Sequence, residues 1–108
     1  MIKLLGDVIT NQPFTFEDEK QLAFAVDQNA PNPFNPTTAI SFTIPAAGNV
    51  TVDVYNVAGQ KVDSLVNGMM SAGRHSVVWD ATGYSNGVYF YTVKSGDFSK
   101  TMKMTLLK

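Results

Sequence analysis

The residue types that most often carry out catalysis are scarce in this chain. The 108 residues include no cysteine and one histidine, His75, which excludes thiol nucleophiles, disulfides and Cys/His zinc sites. His75 alternates with Val77 and Trp79 along a predicted strand, a spacing typical of a packed or rim histidine rather than of a general base. The sequence therefore identifies no catalytic residue, and we expect no enzymatic activity.

The carboxylates are equally unsuited to acid–base chemistry. Glycoside hydrolysis, for example, requires a facing pair of carboxyl groups, whereas Asp53, Asp63, Asp80 and Asp97 fall singly on strand exteriors or at strand ends. Asp80 stands directly before Ala81-Thr82-Gly83, so we expect it to accept hydrogen bonds from backbone amides of the following turn. These positions indicate structural roles.

Ligand-binding motifs are also missing. The segment Asp27-Gln28-Asn29, with Asn32 and Asn35 nearby, holds oxygen ligands but lacks the spacing and the distal glutamate of a calcium loop. There is no glycine-rich phosphate cradle, and a net charge of −1 gives no basic excess for nucleic acid. We expect no metal, no cofactor, no small-molecule substrate and no nucleic acid.

Glycine-marked turns separate short alternating runs along most of the chain. Seven of the eight glycines lie between Gly48 and Gly96, and turns about 8–12 residues apart are typical of β-sandwiches and barrels. Apolar side chains alternate with polar ones within the runs. The predicted strands are Leu22–Val26, Ile40–Ile44, Val50–Val54, Lys61–Val66, Arg74–Asp80, Val88–Lys94 and Phe98–Leu107. The pattern predicts an all-β fold with almost no helix, and it places Asn67-Gly68 at a break.

Charge and proline divide the chain into parts of different kinds. The run Glu17-Asp18-Glu19-Lys20 indicates a solvated linker, so we assign residues 1–22 to a linker or the tail of a preceding domain and residues 23–108 to one domain. Regular structure is precluded at Pro31-Asn32-Pro33-Phe34-Asn35-Pro36. We predict an ordered loop there, held on the end of the sandwich by the Phe34 ring.

Both faces of the run from Val88 to Val93 are apolar or aromatic, since Tyr89 and Tyr91 alternate with Phe90. One interpretation is a central strand whose tyrosine hydroxyls bond to backbone, as in the tyrosine corner of sandwich folds. The other is an exposed tyrosine platform for a sugar or a protein partner.

A family resemblance is carried by an ordered set of segments spread over residues 28–108. They are Gln28-Asn29-Ala30-Pro31-Asn32-Pro33-Phe34-Asn35-Pro36-Thr37-Thr38, Ile44-Pro45, Gly48, Val54-Tyr55-Asn56-Val57-Ala58-Gly59-Gln60-Lys61-Val62, Gly73 with His75, Val77, Trp79 and Asp80, Gly87-Val88-Tyr89-Phe90-Tyr91, and Lys103-Met104-Thr105-Leu106-Leu107-Lys108. Together they resemble the type A C-terminal sorting domain of type IX secretion cargo. The immunoglobulin-like domain of flagellar hook-capping proteins is similar over much of the same span.

The sorting-domain resemblance implies an immunoglobulin-like antiparallel β-sandwich of about seven strands without catalysis of its own. It implies a covalently attached upstream cargo, recognition by the outer-membrane translocon and sorting machinery, and a monomeric state. The cargo would cross the periplasm in transit and end at the cell surface or be secreted. Residues matching the family's motifs are Pro31, Asn32, Pro33, Gly87, Tyr89 and Lys103.

Two alternatives from other classes stay open at this point. One is a carbohydrate-binding accessory domain that uses Tyr55, Tyr84, Tyr89 or Tyr91. The other is a structural assembly domain like the hook-capping homologue. The last predicted strand carries lysines at positions 100 and 103, with a further lysine at 108; these either keep an exposed edge from pairing indiscriminately or dock on a receptor.

Overall fold

Residues 23–108 are described by the computed structural model of the chain. Within them lie seven strands and no helix: β1 (Ala25–Val26), β2 (Thr37–Ile44), β3 (Gly48–Tyr55), β4 (Lys61–Met70), β5 (Gly73–Asp80), β6 (Gly87–Ser95) and β7 (Phe98–Leu106). The predicted all-β fold is confirmed. Among these residues no helix is long and apolar enough to cross a membrane.

The strands form two sheets, ordered β1-β2-β5 and β4-β3-β6-β7, and every named pair is antiparallel. Because successive side chains point to opposite faces, β2 and β3 alternate strictly between buried and half-exposed residues along most of their length. The buried faces of the two sheets meet in one core, which gives the sandwich arrangement expected of an immunoglobulin-like domain.

The core is built from inward-facing side chains of both sheets and from the proline-rich loop. The largest fully buried members are Trp79, Tyr91, Phe34, Phe42, Ile40 and Ile44. No cysteine links the sheets, so apolar burial, at about 25 cal/mol per Å², supplies the attraction between them. The inward faces predicted for β2 and β3 are confirmed, since Ile40, Phe42, Ile44 and the valines of β3 have no exposed surface.

Two local predictions differ from the structure. The expected break at Asn67-Gly68 is wrong, because β4 continues to Met70. Gly68 pairs with Val50, and its φ lies outside the positive range that favours glycine. The first strand is also shorter than predicted, covering only Ala25–Val26, and Leu22 lies outside the described residues.

The start of β7 also departs from the predicted pattern of burial. Phe98 is 48% exposed, although it lies on the same face of β7 as the fully buried Met104 and Leu106. The opposite sheet has only three strands, so we attribute this exposure to incomplete cover over the first residues of β7. Instead the Phe98 ring stacks on Phe24, with ring centroids 5.2 Å apart.

A positive φ at the start of β6 gives a first testable prediction. Gly87 has φ +147 and nothing within 4 Å of an added Cβ, so a substitution there meets backbone strain rather than a clash. We expect Gly87→Val to lower the free energy of unfolding by about 1–3 kcal/mol. Gly48 is the matched control, because it also opens a strand and has open space but no positive φ. Urea denaturation that shows equal effects for Gly87→Val and Gly48→Val would contradict the assignment.

Candidate functional site

The proline-rich loop lies along the free edge of the last strand. Phe34 donates its backbone N–H to the carbonyl oxygen of Thr105 and accepts from Leu107 N–H, both at 3.0 Å, and it forms a parallel bridge with Leu106. Asn32 Oδ1 accepts a hydrogen bond from Thr105 N–H at 3.0 Å. The loop therefore acts as a one-residue extra strand beside the end of β7.

The Phe34 ring fixes this loop to the core, as predicted. The side chain is 2% exposed and its centroid lies 5.7 Å from that of Trp79. Trp79 in turn contacts Tyr84 and Tyr89, each at 5.3 Å between centroids, and its indole N–H donates to Asp63 Oδ2 at 3.0 Å. The loop is thus held by backbone hydrogen bonds on one side and by an aromatic cluster on the other.

A buried polar pair shapes the entry to the loop. Asn29 and Thr38 are each 2% exposed. The Asn29 amide donates to Thr38 Oγ1 at 2.9 Å and to the carbonyl of Pro31 at 3.1 Å, and the Thr38 hydroxyl donates to the same carbonyl at 2.9 Å. Because buried polar groups must find partners, this network sets the path of the chain into Pro31.

Gln28, the residue before Asn29, links the entry to the loop to β7 through a further hydrogen bond. The Gln28 amide donates to Asn29 Oδ1 and to the carbonyl of Lys103, both at 2.7 Å. Asn29, Thr38 and Gln28 stood within the resembling segment, but sequence reasoning gave them no role. The available signal was that short polar side chains flanking a proline-rich loop commonly bond to its backbone.

The six motif residues come together in space although they are far apart in sequence. Gly87 of β6 pairs with Leu106 of β7, and Tyr89 pairs with Met104. The loop of Pro31, Asn32 and Pro33 reaches the same end of β7 through the hydrogen bond between Asn32 and Thr105. The remaining motif residue, Lys103, also lies in this half of β7. Of the six, Pro31, Asn32, Pro33 and Lys103 are exposed, whereas Tyr89 is buried.

The tyrosines of β6 are part of the core. Tyr89 is 7% and Tyr91 0% exposed; the Tyr89 hydroxyl donates to the carbonyl of Ser85 at 2.8 Å, a tyrosine-corner-like contact. Tyr84 likewise donates to the carbonyl of Val62 at 2.9 Å. The central-strand interpretation is confirmed, and the hypothesis that Tyr89 and Tyr91 form an exposed platform is wrong because both rings lie in the core, where Trp79 of the opposite sheet packs against Tyr89.

Burial also changes the acidity of one of these tyrosines. The Tyr91 hydroxyl donates to the carbonyl of Asp27 at 2.6 Å. Desolvation raises the pKa of Tyr91 to about 12, and the charge of Asp27 acts in the same direction, against a smaller lowering by a backbone hydrogen bond from Asn29. The phenol therefore stays neutral across the physiological range and serves as a buried hydrogen-bond donor.

The groups considered for catalysis have structural partners. Asp80 Oδ1 accepts from the backbone N–H and the hydroxyl of Thr82, at 2.9 and 2.6 Å, as predicted, and these two bonds hold the pKa of Asp80 below its usual value. His75 packs on Phe42 with centroids 5.8 Å apart and its Nε2 contacts the carbonyl of Ser71 at 2.7 Å. Residues 23–108 contain no cluster of three or more His, Cys, Asp or Glu side chains.

Taken together, the fold and this site define a small β-sandwich that displays an ordered loop beside its last strand. The family model for the secretion system C-terminal sorting domain matches residues 30–107, which is most of the chain, and the chain belongs to that family. A comparison with curated proteins gives no significant match.

Membership of this family states what the domain does. It is a type IX secretion sorting signal, which interacts with the secretion machinery and is attached to an upstream cargo that is exported through the outer membrane to the cell surface or released. Domains of this family are non-catalytic sorting signals. The carbohydrate-binding and structural alternatives are not favoured.

Proposed function

We propose that the surface read by the sorting machinery is the loop at Pro31, Asn32 and Pro33 together with the adjoining end of β7 at Lys103. We call this surface the loop–strand patch. The observation that supports it most directly is the pair of backbone hydrogen bonds that fixes Phe34 between Thr105 and Leu107. They hold an exposed loop and an exposed lysine in one fixed arrangement.

A folded signal must present a rigid surface, because a flexible one loses binding free energy when it becomes ordered. The loop–strand patch meets this requirement, since Asn29 and Phe34 are nearly completely buried beneath it. In the proposed mechanism Gly87 and Tyr89 support the loop–strand patch and do not form part of its surface. Gly87 supplies the turn into β6, and Tyr89 packs against Trp79, so both position the patch without touching the partner.

The wider arrangement follows from the same proposal. Residues 1–22 connect the cargo to the domain that starts at residue 23, and cleavage, where it occurs, falls in that connection. The domain folds in the periplasm, where the translocon and its sorting partners read it as a monomer. A folded-state signal requires this order, because the loop–strand patch exists only when β7 is paired.

A secretion assay tests the proposed surface. We expect residues 1–108 fused behind a periplasmic reporter to bring that reporter to the surface of a bacterium with a type IX system, and Lys103→Ala to reduce the surface fraction several-fold. Lys94→Ala is the matched control, because Lys94 is an exposed lysine on the same pair of strands but lies near its opposite end. Retention of the unsubstituted fusion inside the cell would refute the sorting role, and equal export by the two lysine variants would refute the surface.

A further inference from the structure

The free edge of β7 is only partly occupied. Four main-chain groups point away from β6 and are bonded: the N–H of Thr105 to Asn32, the carbonyl of Thr105 and the N–H of Leu107 to Phe34, and the carbonyl of Lys103 to Gln28. The pairing of β6 with β7 has no register shift, and main-chain groups alternate between the two sides of a strand. Those of Ser99 and Thr101 therefore also point outward.

The outward groups in the first half of β7 have no partner within residues 23–108. The N–H groups of Ser99, Thr101 and Lys103 and the carbonyls of Ser99 and Thr101 point away from the β6–β7 ladder, and no loop or side-chain hydrogen bond among the described residues reaches them. Such a row is a template for an added strand. The chain already uses this edge once, since Phe34 occupies the place next to Leu106.

The charges of the exposed lysines near the open edge of β7 indicate which kind of added strand would fit there. The ion pairs among the described residues are Lys61 with Asp53 and Arg74 with Asp27. The lysines at positions 94, 100 and 103 are exposed and pair with no acid of residues 23–108. Lys100 and Lys103 alternate between the two faces of β7, so an acidic residue on either face of an added strand would lie close to a lysine.

The same lysines disfavour a second copy of the domain as the occupant. An antiparallel pairing of two β7 edges centred on Lys100 sets the two Lys100 side chains directly opposite one another, and one centred on Thr101 brings them to diagonal positions on the same face. Like charges opposite one another destabilise a sheet, and lysine on an edge strand is a common safeguard against self-pairing. Phe98, 48% exposed, and half-buried Met102 offer apolar contact on one face instead.

We propose that the open edge of β7 from Ser99 to Lys103 binds an extended acidic segment of a partner protein by strand addition. The proposal rests on the sorting function and specifies the chemistry of its partner. Main-chain hydrogen bonds to Ser99, Thr101 and Lys103 supply the attachment. Carboxylates facing Lys100 and Lys103 select the partner, and an apolar residue covers Phe98 and Met102.

The first test uses peptides and the full chain in solution. The probe is a short acetylated and amidated peptide of alternating glutamate and valine, and nuclear magnetic resonance follows amide exchange. We expect the peptide to slow exchange at Ser99, Thr101 and Lys103. A lysine–valine peptide and a glutamate–valine peptide N-methylated at every second residue should bind about tenfold more weakly or not at all. Equal binding by the methylated peptide would overturn strand addition.

Two variants at one position isolate the main-chain contribution. Thr101→Pro removes an outward N–H that no described residue uses, and proline is tolerated on the solvent side of an edge strand. Thr101→Ala is its control, because both changes remove the 2.7 Å contact with the Thr92 hydroxyl. We expect Thr101→Pro to weaken peptide binding about tenfold and to reduce reporter export, while Thr101→Ala leaves both near the unsubstituted values.

The remaining outcomes separate this proposal from the sorting role. Normal export by Thr101→Pro, alongside export by the unsubstituted fusion, would overturn the strand partner but not the sorting function. Protection of the edge amides without peptide, lost when Glu17, Asp18 and Glu19 are replaced by Gln, Asn and Gln, would assign the edge to the chain's own segment and overturn the proposal. Self-association of the full chain through β7, detected by sedimentation, would also overturn it.

Discussion

Phe34→Ala is expected to lower the free energy of unfolding by about 3–5 kcal/mol, the range for removal of a buried aromatic ring. The ring is 2% exposed and contacts Trp79, so its loss leaves a cavity between the loop and the aromatic cluster. Because the loop also occupies the edge of β7, the damage should spread to the end of that strand. Urea denaturation of the two proteins measures the total effect.

Hydrogen exchange shows whether the loop is released before the whole domain unfolds. In Phe34→Ala we expect the amides of Thr105 and Leu107, which donate to the loop, to exchange faster relative to that of Met104, which pairs with β6. Leu107→Ala is the control, since this apolar side chain lies at the same end but is 55% exposed, and its truncation should change stability by less than about 0.5 kcal/mol. A comparable loss for both variants would contradict the anchoring role of the ring.

Alkaline pH should remove a comparable amount of stability through a single buried phenol. The pKa of Tyr91 is about 12 in the folded protein against a reference of 10.0, so the folded state binds this proton more tightly than the unfolded state does. Stability from the group is fully present below pH 10 and is lost as the pH rises through 12. A difference of two units corresponds to about 3 kcal/mol.

Tyr91→Phe isolates this contribution from the titration of lysines and of the other tyrosines. At neutral pH the variant should be less stable by about 1–3 kcal/mol, because the carbonyl of Asp27 loses its buried donor. Between pH 10 and 12 the unsubstituted protein should lose stability more steeply than the variant. Parallel curves of unfolding free energy against pH, measured with urea, would show that the Tyr91 phenol is not desolvated as described.

The features that could be predicted from the sequence depend on local rules. Alternation fixed the inward face of β2 at Ile40, Phe42 and Ile44, since one face of each strand must leave water. Proline spacing excluded regular structure from the loop, and its single aromatic ring, that of Phe34, indicated how the loop could be held on the core. The sequence did not show whether the two β6 tyrosines are buried or exposed, because two apolar faces on one strand do not reveal whether both faces are covered.

The features that could not be predicted from the sequence depend on contacts between residues that are distant in the chain. The continuation of β4 through Gly68 follows from its pairing with Val50, whereas local propensity favours a break at Asn-Gly. Nothing local indicates that Phe34 bonds beside Leu106. The polar residues beside the loop indicate bonds to its backbone, but not that Asn29 and Thr38 share the carbonyl of Pro31. The candidate site could therefore be recognised by its motif residues, but its geometry required the tertiary fold.

The hydrogen bond between Asn32 and Thr105 joins positions 73 apart in the chain. Contacts of such long range form late, because closing a large loop is entropically unfavourable. A polypeptide that stops before β7 has Pro31 to Pro36 but lacks Thr105 and Leu107, the hydrogen-bond partners of Asn32 and Phe34. If the loop–strand patch is the surface that the sorting machinery reads, as proposed, a chain truncated before β7 cannot form it, and we expect such a chain not to be exported.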